Sequence, residues 1–203
     1  YAKRKTGQLS QAQEIVALEV SQTYYSNKDQ SLSDPRYSTS YIGGGASNFS
    51  AVSTNLRFTP TTSFNTSMRG EIDSRHRKLR TLSLNTNYNW AQRLQTSVGW
   101  SRNFYIADLP GFSDPANLSN YLNVSANTRT RDNKYGVNAS LSYDVLRSTM
   151  TQQRISAFYN AQCCGIAFEY QRYNYPNSYF LPADNRFFLS FSLAGLGNFS
   201  PFS

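Results

Sequence analysis

Two adjacent cysteines, Cys163 and Cys164, are the only cysteines in the chain. Neighbouring Cα atoms across a trans peptide are about 3.8 Å apart, whereas disulfide-bonded cysteines usually have Cα atoms about 4.4–6.8 Å apart. The pair is therefore poorly placed to bond to itself, and if both are oxidised each needs a partner outside this sequence. The alternative is two free thiols at a strand end, where cysteine acts as a small apolar residue. No metal site is expected, because neither a Cys-x-x-Cys motif nor a histidine accompanies them.

The single histidine, His76, lies in a charged segment at residues 73–78 that begins with Asp73. An Asp-His pair resembles that of the omptin-like outer-membrane proteases. An exposed hairpin, however, is not expected to supply the fixed, partly buried geometry that a catalytic carboxylate and imidazole need. We therefore predict no catalytic residue and no enzyme activity.

The same segment carries the cations Arg75, Arg77 and Lys78, with Arg80 close behind. If they point outward, they are candidates for contacts with the phosphates of lipopolysaccharide, since arginine and lysine form charge-assisted hydrogen bonds with phosphate. A solvated hairpin tip explains the same charges equally well.

The composition favours a β-rich chain and excludes several classes. The 203 residues are 39% hydrophobic, 15% aromatic and 16% charged, with a formal net charge of +8. No apolar run approaches the about 20 residues of a transmembrane helix. Nucleic-acid binding is not expected, because the basic residues are scattered instead of clustered in a recognised module. The three glycines at 43–45 lack the Lys-Ser/Thr of a phosphate loop, so no cofactor is predicted.

Apolar residues recur with a period of two along most of the chain. Successive side chains of a strand point to opposite faces, so this alternation predicts strands with one apolar face. The clearest stripe runs at every second position from Tyr135 to Val145. We predict about ten strands of roughly ten residues each. Residues 12–20 are the one segment for which a helix competes.

These strands have the length expected of a membrane barrel. Ten residues span about 33 Å, which a 45° tilt reduces to about 23 Å, close to the ~25 Å apolar band of outer-membrane barrels. The sequence therefore predicts an all-β, antiparallel up-and-down transmembrane β-barrel over residues 1–203, without a second domain. A soluble β-sandwich, which would bury the same aromatics in a core, is the alternative. The aromatics expected at the membrane interfaces are Tyr24, Tyr88, Trp90, Trp100, Phe104 and Tyr170.

Alternating connection lengths predict which loops face outward. In outer-membrane barrels the periplasmic turns are short and the extracellular loops are longer. We place the connections at 26–48, 74–78, 106–117, 146–149 and 174–184 outside. The turns near 60, 91, 131 and 161 are placed in the periplasm, and the last of these carries the cysteines. Arg57 and Arg69 are expected to line a wet barrel interior.

Two C-terminal segments resemble a known family. Residues 159–170 read Tyr-Asn-Ala-Gln-Cys-Cys-Gly-Ile-Ala-Phe-Glu-Tyr, and residues 185–197 read Asn-Arg-Phe-Phe-Leu-Ser-Phe-Ser-Leu-Ala-Gly-Leu-Gly. Together they resemble the C-terminal end of the lipopolysaccharide-assembly outer-membrane protein family, LptD. In that family a vicinal Cys-Cys pair precedes the penultimate strand. The resemblance is specific over residues 159–197 only.

The resemblance implies a location and a function. The chain would be the C-terminal part of a larger barrel in the bacterial outer membrane that delivers lipopolysaccharide to the outer leaflet. Periplasmic bridge components would supply the lipid, an LptE-like lipoprotein would plug the lumen, and the barrel-assembly machinery would insert the protein. The cysteines would pair with cysteines of an N-terminal periplasmic domain, so the chain is expected to be a fragment. The alternative is a self-contained porin or adhesin barrel.

The resemblance also gives the last strand a role. An aromatic-rich final strand resembles the insertion signal of such barrels, and in this family it forms one side of the lateral gate through which lipid leaves. The residues expected in this role are Phe187, Leu189, Phe191, Leu193, Gly195 and Leu196.

Overall fold

The computed structural model describes residues 2–6, 9–33, 46–91, 93–161, 163–174, 183–193 and 197–199. Within these ranges strands are the dominant element, and the only described helices are two short 3-10 helices at Lys28–Leu32 and Pro115–Asn117. No described helix is long and apolar enough to cross a membrane.

The described strands form two sheets. β1 and β2 pair as a separate two-stranded sheet, and β3 to β13 form a sheet in which each strand lies beside its neighbours in sequence. Ten of these strands, β3 to β12, run up and down, which confirms the predicted all-β antiparallel architecture. The strand bounds are β1 Ala2–Thr6, β2 Leu9–Gln13, β3 Val16–Ser21, β4 Val52–Thr61, β5 Phe64–Ile72, β6 Leu79–Trp90, β7 Leu94–Asn103, β8 Asn120–Arg129, β9 Tyr135–Asp144, β10 Thr149–Asn160, β11 Cys164–Tyr173, β12 Asp184–Leu193 and β13 Gly197–Phe199.

Two compact units make up the chain. The first consists of Tyr1–Thr86 and Trp100–Asn120, and the second of Asn87–Gly99 and Tyr121–Ser203. Each is described separately below.

In the second unit the strand register brings the apolar stripes together on one face. Val137 lies opposite Thr128 of β8 and Ala157 of β10, and Ala157 lies opposite Phe168 of β11. The same face continues into β12, and its large side chains are exposed. The exposed apolar residues of this face are Tyr135, Val137, Ile155, Tyr159, Ile166, Phe168, Phe187, Phe191 and Leu193.

The opposite face of the second unit is polar and hydrogen-bonded from strand to strand. Asn138 accepts a hydrogen bond from Asn127 and donates one to the Ser156 hydroxyl at 3.2 Å. Arg154 Nε lies 2.8 Å from Glu169 Oε1 across β10 and β11. Each strand therefore separates an exposed apolar face from a face of mutually satisfied polar groups.

An aromatic ring on this polar face packs directly against the backbone of a neighbouring strand. Phe158 lies directly opposite Gly136, and a Cβ built on Gly136 would come within 2.2 Å of the Phe158 ring. The glycine is needed at this position because the aromatic ring occupies the space that a side chain at position 136 would fill.

The first unit repeats the two-faced pattern on β3, β4 and β5. Leu56 lies between Leu18 and Met68 on the apolar face. On the other face Asn55 lies between Glu19 and Arg69. Arg57 and Arg69 share this polar face, and their expected place in a barrel interior stays a prediction.

Few apolar side chains are buried in the described residues, and most of them lie in loops. Ile106, Leu109 and Phe112 form a small core with exposures of 3% or less, inside the β7–β8 connection. Tyr25 and Ala51 are buried at the two ends of the β3–β4 connection. Strands β3 to β12 contribute no buried large apolar side chain, whereas a soluble sandwich packs such side chains between its sheets.

Several details differ from the sequence-based expectation. Over residues 12–20 the structure has strand and not the competing helix, but the strand is divided into β2 and β3 at 14–15. Phe104 lies beyond the end of β7. Tyr24 lies outside β3 in an isolated bridge with Phe49. The expected loops at 26–48 and 174–184 are described only in part, since residues 34–45 and 175–182 lie outside the described ranges.

Candidate functional site

Charged side chains concentrate in the first unit, where three connections follow strands that end on the same side. These are the described parts of the β3–β4 connection, the β5–β6 hairpin at 73–78 and the β7–β8 connection at 104–119. Antiparallel neighbours place alternate connections at the same end of a sheet. We call this group of connections the loop cluster.

The loop cluster is organised around Asp73, whose side chain is 1% exposed. Its Oδ1 accepts hydrogen bonds from the backbone amides of Arg75 at 2.9 Å and His76 at 2.8 Å. His76 Nδ1 lies 2.9 Å from the same oxygen. Oδ2 accepts a bond from Arg80 Nε at 2.8 Å and a second one from the end of the same guanidinium. The carboxylate therefore closes the hairpin from inside.

These contacts determine the ionisation of Asp73. Burial by itself would raise its pKa, but the hydrogen bonds from the His76 amide, the Arg80 guanidinium and the His76 ring outweigh burial and lower the pKa from 3.8 to about 2. The group is therefore a carboxylate at any ordinary pH.

Arg80 connects the hairpin to the β7–β8 connection. Its guanidinium lies 6.0 Å from the centroid of the Phe112 ring, which belongs to the buried loop core. The backbone amide of Phe104 also donates to the Arg80 carbonyl at 2.9 Å. Sequence analysis missed this core, although large apolar residues spaced three apart at 106, 109 and 112 in a loop were a usable signal.

Of the four cations expected to point outward, the structure exposes three. Arg75, Arg77 and Lys78 are exposed, and Arg75 donates a hydrogen bond to the Ala46 carbonyl. The expectation for Arg80 is wrong, because its side chain is 19% exposed and points inward to Asp73. Arg80 occupies a position on β6 whose direction is set by the strand register, which the charge pattern alone does not reveal.

The Asp73–His76 pair has a geometry that the sequence did not predict. The carboxylate is buried and the imidazole is held in place, so the expected reason for dismissing it, an exposed and unfixed setting, is wrong. A base oriented by a carboxylate still needs a nucleophile within hydrogen-bond reach. Among the described residues no hydroxyl or thiol hydrogen-bonds to the His76 ring.

The second unit contains a hairpin of the same design. Asp144 is fully buried, and its Oδ1 accepts from the amides of Leu146 and Arg147 at 3.0 and 3.1 Å. Arg147 also contacts Oδ2 at 2.7 Å, and this hydrogen bond raises the pKa of the guanidinium. Buried aspartates with bonds to the second and third following amides are thus a shared device for ending β5 and β9.

The cysteines lie where the short turn between β10 and β11 ends. Cys163 is exposed in the turn, Cys164 is the half-buried first residue of β11, and the two sulfur atoms are 3.4 Å apart with no disulfide between them. Cys164 lies opposite Leu193 of β12. The expected periplasmic side of this turn and the expected disulfide to another domain stay predictions.

The last long strand, β12, carries the residues expected at a lateral gate. Phe187 is 61% exposed and packs against Tyr170, with ring centroids 5.0 Å apart. β13 returns and pairs with the end of β12, so that Phe191 lies opposite Phe199. The sequence did not predict this return. Leu189 lies on the same face as Phe187, whereas Gly195 and Leu196 lie outside the described residues.

Comparisons with known proteins leave the family open. No protein-family model matches the chain, and no curated protein matches it. Among the described residues no group of three or more His, Cys, Asp or Glu side chains could hold a metal ion.

Proposed function

We propose that the chain is part of the wall of an outer-membrane β-barrel that passes lipopolysaccharide to the outer leaflet. The observation that carries the membrane location is the two-faced sheet: large apolar side chains are exposed on one face, and hydrogen-bonded polar groups cover the other. Contiguous exposed apolar surface marks an interaction site or a membrane contact. A sheet with hydrocarbon against its apolar face and water against its polar face accounts for the chemistry of both faces.

Strand length and aromatic placement support a membrane. β4 and β7 to β12 each have ten or more residues, enough to cross about 25 Å of hydrocarbon when tilted. At one end of the second unit, Tyr135 and Tyr159 form a ring pair with centroids 4.9 Å apart. Trp90, 63% exposed, ends β6. Exposed aromatics at strand ends are typical of membrane interfaces.

Lipopolysaccharide as the cargo rests on the resemblance of residues 159–197 to the LptD family. The exposed turn position of Cys163 supports this assignment, because its thiol is accessible to partners outside this sequence, and the half-buried Cys164 is its direct neighbour. In this proposal the partners are lipopolysaccharide, an LptE-like plug lipoprotein, periplasmic bridge components and the barrel-assembly machinery. The chain performs no chemical step.

Depletion in the source cell tests the export function. Cells that lose the protein should lose newly made lipopolysaccharide from their surface, measured by pulse labelling and accessibility to an external lipopolysaccharide-specific probe. Unchanged surface delivery after complete depletion would rule out the export function.

The polar face also suits a simple water-filled pore, which is the competing function. Proteoliposomes containing the full-length protein separate the two, because a porin should admit sugars with a sharp size limit in a swelling assay.

For the cysteines, non-reducing electrophoresis of the full-length protein should show a mobility shift on reduction. Full alkylation of both thiols without a shift would remove the disulfide from the proposal.

A further inference from the structure

In the β5–β6 hairpin the negative charge is buried and the positive charges are exposed. Its only carboxylate, Asp73, points inward and is satisfied by His76 and Arg80. Its three remaining cations, Arg75, Arg77 and Lys78, are exposed, and no described carboxylate pairs with them. The outer surface of this hairpin is therefore purely cationic.

The hairpin is also held in a fixed position. Asp73 accepts from the Arg75 and His76 amides, and the Asp73 amide donates to the Lys78 carbonyl at 2.8 Å. The Arg75 guanidinium donates a hydrogen bond to the Ala46 carbonyl of the β3–β4 connection. A cation that is already positioned loses less conformational freedom when it binds an anion.

Exposed apolar side chains continue directly into the hairpin. Ile72 is the last residue of β5 and is 41% exposed on the apolar face, on which it lies opposite Val52. In a bilayer, lipid phosphates lie just beyond the hydrocarbon region. If the apolar face contacts hydrocarbon, the three cations are at the depth of those phosphates.

We propose that Arg75, Arg77 and Lys78 form a binding site for the phosphate monoester of a membrane lipid headgroup. A phosphate monoester carries about −1.5 to −2 charges and three acceptor oxygens, which three exposed cations of one short hairpin can share. The inference rests on the membrane location in the proposed function, but it does not depend on lipopolysaccharide export.

The β8–β9 hairpin provides a matched comparison within the chain. It also has three exposed cations, Arg129, Arg131 and Lys134. Its carboxylate, however, is at the surface: the Asp132 side chain is 54% exposed and lies 3.7 Å from Lys134. An equal loss of charge there should not remove a phosphate site.

The test is calorimetric titration of the full chain folded in nonionic detergent micelles. The added lipids are bisphosphorylated lipid A, the same lipid after enzymatic removal of its phosphates, and dioleoyl phosphatidic acid. Inorganic phosphate alone is titrated in parallel, to distinguish a lipid headgroup from free phosphate as the source of the group.

We expect R75Q/R77Q/K78Q to weaken binding of both phosphorylated lipids at least tenfold. R129Q/R131Q/K134Q should bind them as the unchanged chain does, and dephosphorylated lipid A should bind all three proteins equally weakly. R77Q/K78Q, which keeps the Arg75–Ala46 hydrogen bond, should show an intermediate loss of at least threefold.

Equal binding by the unchanged chain and the β5–β6 variants would overturn the site, as would an equal loss in the β8–β9 variant. Inorganic phosphate that binds as tightly as the lipids would overturn the lipid assignment. These outcomes are independent of the depletion experiment: normal surface lipopolysaccharide after depletion ends the export proposal and leaves this site intact.

Discussion

Two buried aspartates, Asp73 and Asp144, hold hairpins of this chain in place through their charge. Asp73 and Asp144 are both removed from solvent, and each receives two backbone amides and an arginine. A buried carboxylate left without such donors would cost several kcal/mol. These carboxylates therefore stabilise their hairpins only when all of their hydrogen-bond donors are present. Removing one donor should lower the free energy of unfolding more than removing a charge at the surface.

The lowered pKa of Asp73 predicts a pH dependence of stability. Its folded value of about 2 lies below its ordinary value of 3.8, so its contribution is fully present above pH 4 and is lost as the pH falls towards 2. Asp73→Asn should lower the free energy of unfolding at pH 7 by about 2 kcal/mol. The difference from the unchanged chain should disappear near pH 2, in urea titrations across this range.

Asp132→Asn is the control for that measurement, because Asp132 lies in an exposed turn where an ion pair contributes little. A loss of stability for Asp73→Asn that is the same at pH 2 and pH 7 would show that ionisation of the buried carboxylate is not its cause.

Gly136 and Phe158 predict a coupled pair of substitutions. Gly136→Ala should destabilise the second unit by about 1–3 kcal/mol, since overpacking displaces a side chain and the new Cβ would overlap the Phe158 ring. In a Phe158→Ala background the same change should cost much less. The measurement is a double-mutant cycle of unfolding free energies.

Gly70→Ala is the matched control, because a Cβ at Gly70 meets its nearest neighbour at 3.6 Å, an ordinary contact distance. If Gly136→Ala costs the same with and without the Phe158 ring, the close approach of ring and backbone is not the reason for this glycine.

At the scale of strands and loops, alternation predicted the architecture well. Period-two patterning is local, so the sequence revealed β4 to β12 and the face on which each residue lies. It did not reveal the inward direction of Arg80, the fixed Asp73–His76 pair, the loop core at Phe112 or the return of β13. The direction of Arg80 and the return of β13 depend on strand register, which a local pattern does not contain. The Asp73–His76 pair is fixed because Asp73 is buried against Arg80. The loop core has a local signal, the spacing of residues 106, 109 and 112, but a search for period two does not detect it.

An exchange of neighbours on β10 tests which face meets hydrocarbon. In R154I/I155R the arginine moves from the polar to the apolar face. An arginine facing lipid costs about 2–4 kcal/mol at mid-membrane, so this variant should fold poorly into dilauroylphosphatidylcholine vesicles. Folding is measured as the fraction that resists external protease.

The control R154S/S156R also exchanges two residues of β10 and so leaves the amino-acid composition unchanged. It keeps the arginine on the polar face. Position 156 lies directly opposite Glu169, the present ion-pair partner of Arg154, so this variant should fold nearly as well as the unchanged chain. Equal folding of both exchanges would argue against hydrocarbon contact on the apolar face.

At the scale of the molecule, many large apolar side chains of strands β3 to β12 are exposed and none is buried, while the buried apolar side chains of the described residues lie in the loops. A soluble sheet protein reverses this arrangement, because it packs its apolar strand faces against each other. The membrane proposal explains the exposure, the polar hydrogen-bonded face and the aromatic strand ends together. The proposed cargo and partners rest on the C-terminal resemblance and on the vicinal cysteines, of which Cys163 is exposed.

The most direct test of the central claim is a nitroxide scan of β9 in lipid vesicles. Single labels at positions 137 to 143, in a C163S/C164S background, are compared for collision with oxygen, which dissolves in hydrocarbon, and with a water-soluble nickel complex. We predict oxygen maxima at 137, 139, 141 and 143 and nickel maxima at 138, 140 and 142. Equal nickel accessibility at all seven positions would contradict a strand with one face in lipid.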